Sequence, residues 1–215
     1  MATTRIPLSR ERILQSALEL ADEAGIEALS MRKLAQRLGF EAMSLYNHVQ
    51  NKDDLLDGML ELVLAETQPP SPEGPWDESV RRSAVSVHDA LRRHPWAATR
   101  LMTFAGARRP RLRYMDLLLG RLRQAGFDAD TTYHAYHVLD GHIFGFSLWE
   151  NSHSGASPEQ MKEMAAKFER LIPREEYPYL YEHAEQHMSE GAHRQVSAFE
   201  FGLDLILEGL RRVHG

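Results

Sequence analysis

Cysteine is absent from the chain, which rules out a disulfide framework and any thiolate metal site. Long apolar runs are absent too. Nowhere do eighteen apolar residues follow one another, so no membrane span is expected. The opening "MATTRIPLSRERIL" has no apolar core of the kind a signal peptide needs. Together these absences point to a soluble protein of the cytoplasm, with no membrane partner. Strand-like alternation, internal repeats and low-complexity tracts are also missing. No P-loop, nucleophile elbow or dinucleotide fingerprint appears, and no cofactor is called for. The net charge of −6 argues against a surface coated in nucleic acid. It leaves room for one local DNA-contacting face, because phosphate contacts depend on where Lys and Arg sit.

What is present is helix. At 215 residues and 43% hydrophobic, the chain can bury a real core in one large domain or in a small and a medium one. Ser9 suits a helix N-cap, with Leu8 and Ile13 placed for a hydrophobic staple. Ile13, Leu14, Ala17, Leu18 and Ala21 make one apolar stripe. Gly25 should stop that helix in a Schellman ending with Ile26 as its apolar contact. Ser30 caps "MRKLAQRL", which buries Leu34, Ala35 and Leu38 and stops at Gly39. A very short helix in "FEAMSLYNHVQ" follows. Asn51, with Asp54 three residues on, then caps a fourth helix carrying Leu55, Leu56, Met59, Leu62 and Val63.

"TQPPSPEGP", Thr67 to Pro75, holds too many prolines to continue a helix and reads as a bend or linker. It divides the chain into a unit at 1–52, a connecting helix and linker at 53–75, and a larger helical unit at 76–215. In the last of these, helices are expected near Trp76–His94, Trp96–Thr103, Pro110–Ala125, Asp130–Asn151, Pro158–Leu171 and Val196–Val213. The predicted fold class is therefore all-α, with a three-helix N-terminal unit and a C-terminal bundle.

Two short helices joined by a tight turn with glycine at its head, here "LGFEA", form a helix-turn-helix, whose second helix enters the major groove of DNA. Leu45 and Val49 should face inward against Leu34 and Leu38. Met43, Tyr46, Asn47 and Gln50 then share the opposite face. Asn can pair with adenine, Met can touch a thymine methyl, and Ser44 and Tyr46 can hold phosphates or base edges. His48 is within reach of a phosphate. Lys52 places a positive side chain at a helix N-terminus, a natural phosphate clamp. Arg32 and Lys33 could grip the backbone from the preceding helix. The same polar residues would equally suit a solvated surface helix.

The stretch from Arg10 to Leu60, with its "ALELADEAG", "LSMRKLAQRLG" and "SLYNHVQNKDDLL" blocks, resembles without a gap the DNA-binding domain of the TetR family of transcriptional regulators. The resemblance implies an all-helical homodimer, usually a repressor, which a small-molecule effector releases from a pseudo-palindromic double-stranded operator. Carried over by position, it implies DNA contacts from Arg32, Met43, Ser44, Tyr46, Asn47, His48 and Lys52. Tetracycline repressors have a base-reading glutamine where this chain has Ala42, which offers only a methyl group. A different operator is therefore implied.

"QAGFDADTTYHAYHVLDGHIFGFSLWEN" resembles, more loosely, the C-terminal domain of the tetracycline-type repressors, and Glu150 falls where they keep a glutamate near a metal–drug complex. Their metal-binding histidine has no counterpart in "RLMTFAGARRP", which makes magnesium–tetracycline a poor effector here. Residues to line an apolar pocket between helices are Trp96, Met102, Phe104, Tyr114, Leu118, His137, Asp140 and Phe144, each of which could instead be ordinary core. His137 and Asp140 could form a satisfied buried pair. Val196, Phe199, Leu203, Ile206 and Leu210 repeat at three- and four-residue steps, and the resemblance turns that seam toward a dimer interface rather than the subunit's own core. Two recognition helices about 34–36 Å apart would then read successive major grooves.

The rival class is a metal-dependent helical enzyme, since His183 and His187 stand one turn apart, with His134 and His137 as a second close pair. A DNA-independent interaction module is the third possibility.

Overall fold

The computed structural model describes residues 7–102, 109–153, 158–189 and 197–214. Among them eleven α-helices and one short 3-10 turn occur, and no strand. The N-terminal unit comprises α1 (Arg10–Ala24), the turn Ile26–Ala28, α2 (Met31–Leu38) and α3 (Ala42–Leu45), followed by α4 (Lys52–Ala65). The larger unit runs through α5 (Trp76–Arg93), α6 (Pro95–Met102), α7 (Arg109–Gln124), α8 (Ala129–His153), α9 (Pro158–Leu171), α10 (Pro178–Ser189) and α11 (Ala198–His214). "PYLYEHAEQHMS", ambiguous in the sequence, is helix α10.

The starts of the first helices follow their capping chemistry. The Ser9 hydroxyl accepts from the Arg12 N–H at 3.2 Å, the Ser30 hydroxyl from Lys33 N–H at 3.2 Å, and Asn51 Oδ1 from Asp54 N–H at 2.9 Å. Each satisfies a donor that the first helical turn leaves open. The ends differ from one another. Gly39 adopts the left-handed conformation at φ +75°, and its N–H and that of Phe40 turn back to Gln36 and Ala35, a Schellman ending. Gly25 also has positive φ, +81°, but its ψ of 155° sends the chain out extended. The Schellman ending expected at Gly25 is therefore not formed, and the 3-10 turn takes its place.

α4 joins the two units. It packs against α1 on one side and against α5, α6 and α7 on the other. α1 and α4 approach closely: a Cβ on Gly58 would lie 2.5 Å from Leu14 Cδ2, so the Leu14 side chain would have to shift to admit one. The linker after it is an irregular bend between α4 and α5. In the larger unit α8 is central, touching α5, α6, α7 and α11. The core there includes Val87, Leu91, Leu118, Leu139, Phe144 and Phe199, each almost wholly buried.

Candidate nucleic-acid interface and effector site

The helix-turn-helix is built as the spacing predicts. Leu45 and Val49 are buried in a core shared with Leu34 and Leu38, while Met43 is 72% and Tyr46 44% exposed. Asn47 and Gln50 are also exposed; Ser44 and His48 are half-buried. The regular helix ends at Leu45, and tight turns carry the chain on, with His48 N–H and Val49 N–H both returning to Leu45 O. Arg32, Lys33 and Lys52 are exposed, and Ala42 is half-buried at the start of α3.

One residue outside the sequence candidates holds this unit together. Arg10, the first residue of α1, donates to both carboxylate oxygens of Asp54 at 2.9 and 2.8 Å, and also to the backbone carbonyl of His48 at 3.1 Å. Asp54 in turn accepts from Gln50 N–H at 2.8 Å. The hydrogen bonds of Arg10 to the Asp54 carboxylate raise the guanidinium's proton affinity further above its already high value. One fork thus fixes the end of the recognition segment to the start of α4. Nothing in the sequence marks Arg10, because the pairing spans 44 residues. We expect Arg10→Ala to leave the helical content intact and weaken operator binding by about three- to tenfold, measured by fluorescence anisotropy. That range follows from the roughly 1 kcal/mol typical of a partly exposed ion pair.

The effector-pocket candidates separate into groups. Tyr114, Asp140 and Phe144 meet around Arg111, which is not among the candidates above. Its Nη2 lies 2.5 and 2.7 Å from the Asp140 oxygens and 3.3 Å from the Tyr136 hydroxyl. Its guanidinium sits 4.4 Å from the Phe144 ring centre and 5.9 Å from that of Tyr114. Arg111 is 5% exposed, and its Nη1 has no partner among the described residues. A signal for it did exist: Arg111, Tyr114 and Leu118 fall at helix positions i, i+3 and i+7, so Arg111 stands on the apolar face of α7. Leu118 is fully buried there. Burial pushes the Tyr114 hydroxyl up to about 12, so it remains a neutral donor. Tyr114 also borders a cleft of about 660 Å³ whose other walls are Glu61, Leu64, Ala65, Thr67 and Pro69 after and along α4, and Arg113 and Leu117 on α7.

The remaining candidates lie elsewhere. His137 is exposed, with Nδ1 2.8 Å from Tyr133 O in its own helix, so the buried His137–Asp140 pair is not formed; Asp140 turns to Arg111 instead. Met102 is half-exposed at the end of α6. Phe104 lies outside the described residues. Trp96 is buried at the junction of the two units, where its Nε1–H donates to Asp22 of α1 at 2.8 Å. Glu150 faces the buried His88, 2.6 Å away, and His88 stacks on Phe199 at 3.8 Å. Burial lowers the His88 imidazole's proton affinity despite that carboxylate.

The C-terminal seam turns out differently from the expectation. Phe199 and Leu203 are wholly covered within their own subunit, with Leu207 as the next buried position, so they belong to the core rather than to an outer face. Ile206 and Leu210 are half-buried at the rim of an apolar groove between α8 and α11. That groove, about 380 Å³, is lined by Ala135, Val138, Leu205, Gly209 and Val213 as well as Thr131 and His134. Val196 lies outside the described residues. A strict three–four repeat marks one continuous face of a helix, and it cannot say whether the subunit or its partner covers that face.

Helix-turn-helix geometry with an exposed polar and aromatic recognition face, coupled by one helix to a larger helical unit, defines a DNA-binding regulator. The comparisons agree. Residues 13–59 match the family model of bacterial regulatory proteins of the tetR family, and residues 68–214 match that of the tetracyclin repressor-like C-terminal domain. The chain belongs to the TetR family of transcriptional regulators. It is 34% identical to the tetracycline repressor protein class D of Escherichia coli over 94% of this chain and 88% of that one. An HTH-type transcriptional regulator of Saccharopolyspora erythraea is 31% identical over 99% of this chain and 88% of its own length. The structure of ActR from Streptomyces coelicolor in complex with actinorhodin superposes with a TM-score of 0.76 at 30% identity, covering 100% of this chain and 99% of that one. Family membership makes the protein a ligand-responsive DNA-binding regulator and not a metal-dependent enzyme or a DNA-independent module. Among the described residues no group of three or more His, Asp or Glu side chains gathers to hold a metal, and His183 is exposed. No helix among them is long and apolar enough to cross a membrane.

Proposed function

We propose that this regulator is a cytoplasmic repressor that binds a pseudo-palindromic operator as a homodimer and is released by a small molecule. The observation that carries it is the recognition segment: Met43, Tyr46 and Asn47 project outward over buried Leu45 and Val49. In that arrangement Met43, Tyr46 and Asn47 read base edges, with Ala42 adding at most a methyl contact. Arg32, Lys33, Ser44, His48 and Lys52 hold phosphates and set the register. The partner protomer docks on the apolar groove between α8 and α11. Val138, Leu205 and Val213 are each at least half-exposed there. Gly141, Gly145 and Gly209 have open space beside them, which permits close helix approach.

The effector occupies the sensor unit at the α7 region around Tyr114. The cleft beside Tyr114 is within the range of drug-sized ligand sites. Arg111 does not line that cleft, but its buried Nη1 has no partner among the described residues, which is costly, and a ligand oxygen reaching past Tyr114 to accept from it would relieve that cost. Because Asp140 already neutralises Arg111, the ligand group is an uncharged acceptor such as a carbonyl. ActR, which resembles this chain, was crystallised with actinorhodin, and this supports a small-molecule effector for the sensor unit. The effector favours the dimer form whose recognition helices are wrongly spaced and so draws the population off DNA.

Selection of bound sequences from random duplexes tests the reading. An enriched pseudo-palindrome is expected. Among carbonyl-bearing small molecules, those that release wild-type protein from that duplex should fail to release Arg111→Met. Failure to enrich any sequence at low salt, where phosphate contacts are strongest, would rule the operator reading out.

A further inference from the structure

The turn between α5 and α6 carries an ionic cluster that the recognition segment and the effector region do not use directly. His94, the C-cap of α5, is 6% exposed, and both of its ring nitrogens face carboxylates. Nδ1 lies 2.9 Å from both oxygens of Asp22 in the last turns of α1. Nε2 lies 3.1 Å from Glu66 Oε1 at the end of α4. Trp96 Nε1–H gives Asp22 a further donor, and Arg93 grips Glu66 through Nε at 3.0 Å and Nη2 at 2.7 Å. Hydrogen bonds from Arg93 and His94 outweigh burial and hold the Glu66 carboxyl below the usual range. From the side of α8 the neighbour is neutral: Asn151 Nδ2–H donates to Pro95 O at 3.2 Å.

An ionised carboxylate only accepts hydrogen bonds, and a neutral imidazole has one donor and one acceptor. Both bonds can therefore exist together only while the His94 ring carries two protons. The cluster also occupies a mechanically decisive place. Asp22 and Glu66 belong to the far ends of α1 and α4, and the near ends of those helices are the ones that Arg10 and Asp54 bind to the recognition segment. Asn151 follows Glu150 on α8, so the turn touches the sensor's central helix as well.

We propose that His94 is a positioning residue for operator binding: doubly protonated, it clasps Asp22 and Glu66 together and so sets the angle at which the sensor unit holds the recognition helices. Loss of one ring proton removes one of the two bonds and turns a lone pair toward a carboxylate, which loosens the joint. Operator affinity is then coupled to the protonation state of the His94 ring. The inference rests on the reading of the protein as an operator-binding dimer.

The test compares full-length wild type with His94→Gln on the selected operator duplex from pH 6.0 to 8.5 at fixed ionic strength, with thermal unfolding and sedimentation run at each pH. Glutamine keeps one donor and cannot titrate. For wild type an affinity change of about tenfold across the interval is expected, and for His94→Gln a nearly flat profile with folding and dimerisation retained. His48 is present in both proteins, so any titration of the recognition segment cancels in the comparison. Should His94→Gln fold poorly, Glu66→Gln keeps the ring and replaces one carboxylate with an amide that can accept from a charged imidazole or donate to a neutral one; a reduced pH response is then expected. Equal pH profiles in wild type and variant would overturn the inference alone. A wild type that selects no duplex at any pH would overturn the reading of the function and this inference with it.

Discussion

Replacing Val138 and Leu205 together with aspartate is expected to give a folded monomer that has lost at least about a hundredfold in operator affinity. Both side chains are more than half-exposed in the isolated subunit and border the same apolar groove. Charges placed there meet water in the monomer and so cost it little. In a dimer each would be buried against its symmetry mate, where an unpaired charge costs several kcal/mol. Loss of the dimer removes the second half-site, and with it the gain from binding two linked recognition helices at once. Leu203→Asp should behave in the opposite way. Leu203 is 0% exposed within its own subunit, so the charge enters the core and threatens a net stability of only about 5–15 kcal/mol. The expected outcome is loss of helical signal rather than clean dissociation. Sedimentation velocity over a dilution series, with circular dichroism alongside, distinguishes the two. A Val138→Asp/Leu205→Asp protein that stays dimeric throughout would place the interface elsewhere.

The second large effect is expected from Tyr46→Ala combined with Lys52→Ala. Tyr46 is 44% exposed and Lys52 is exposed at the start of α4, so folding and dimerisation should be unchanged. Operator affinity should fall by about a hundredfold, since one good base-edge contact contributes roughly 1–3 kcal/mol and a phosphate contact adds to it. The two losses should be separable. The Lys52 change should weaken all duplexes alike and lower the slope of log affinity against log salt by about one. The Tyr46 change should relax discrimination at one position of each half-site. Unaltered affinity in the double variant would mean that another face of the unit contacts DNA.

These two sites differ in how far they could be read in the sequence. The recognition unit was legible because its determinants are local. Ser30, Gly39 and Asn51 start and stop helices through contacts three to five residues away, and the spacing of Leu45 and Val49 sets which side chains are left facing outward. The dimer seam was legible only as a face. Phe199 and Leu203 lie in the same repeat as Ile206 and Leu210, but α5 and α8 cover the first two and leave the others at a rim. Helical period reveals that a stripe is apolar, and the packing of remote elements decides what lies against it. Glu150 met a buried histidine, and Asp140 met an arginine drawn from a basic run. For Asp140 the sequence had suggested a neighbour on its own helix.

By itself the sequence determined the all-helical class, the helix-turn-helix and its outward residues, the proline-rich bend after α4, and the family. Each of these depends on capping, periodicity or an ungapped motif, and each acts over a few turns of chain. Only the tertiary structure decided that Arg10 holds the recognition segment, that buried Arg111 pairs with Asp140, and that His94 lies between Asp22 and Glu66. Those pairings join residues 28 to 72 positions apart. Charged groups at such separations have no period to betray them, and they meet because the apolar faces of their helices pack and carry them there.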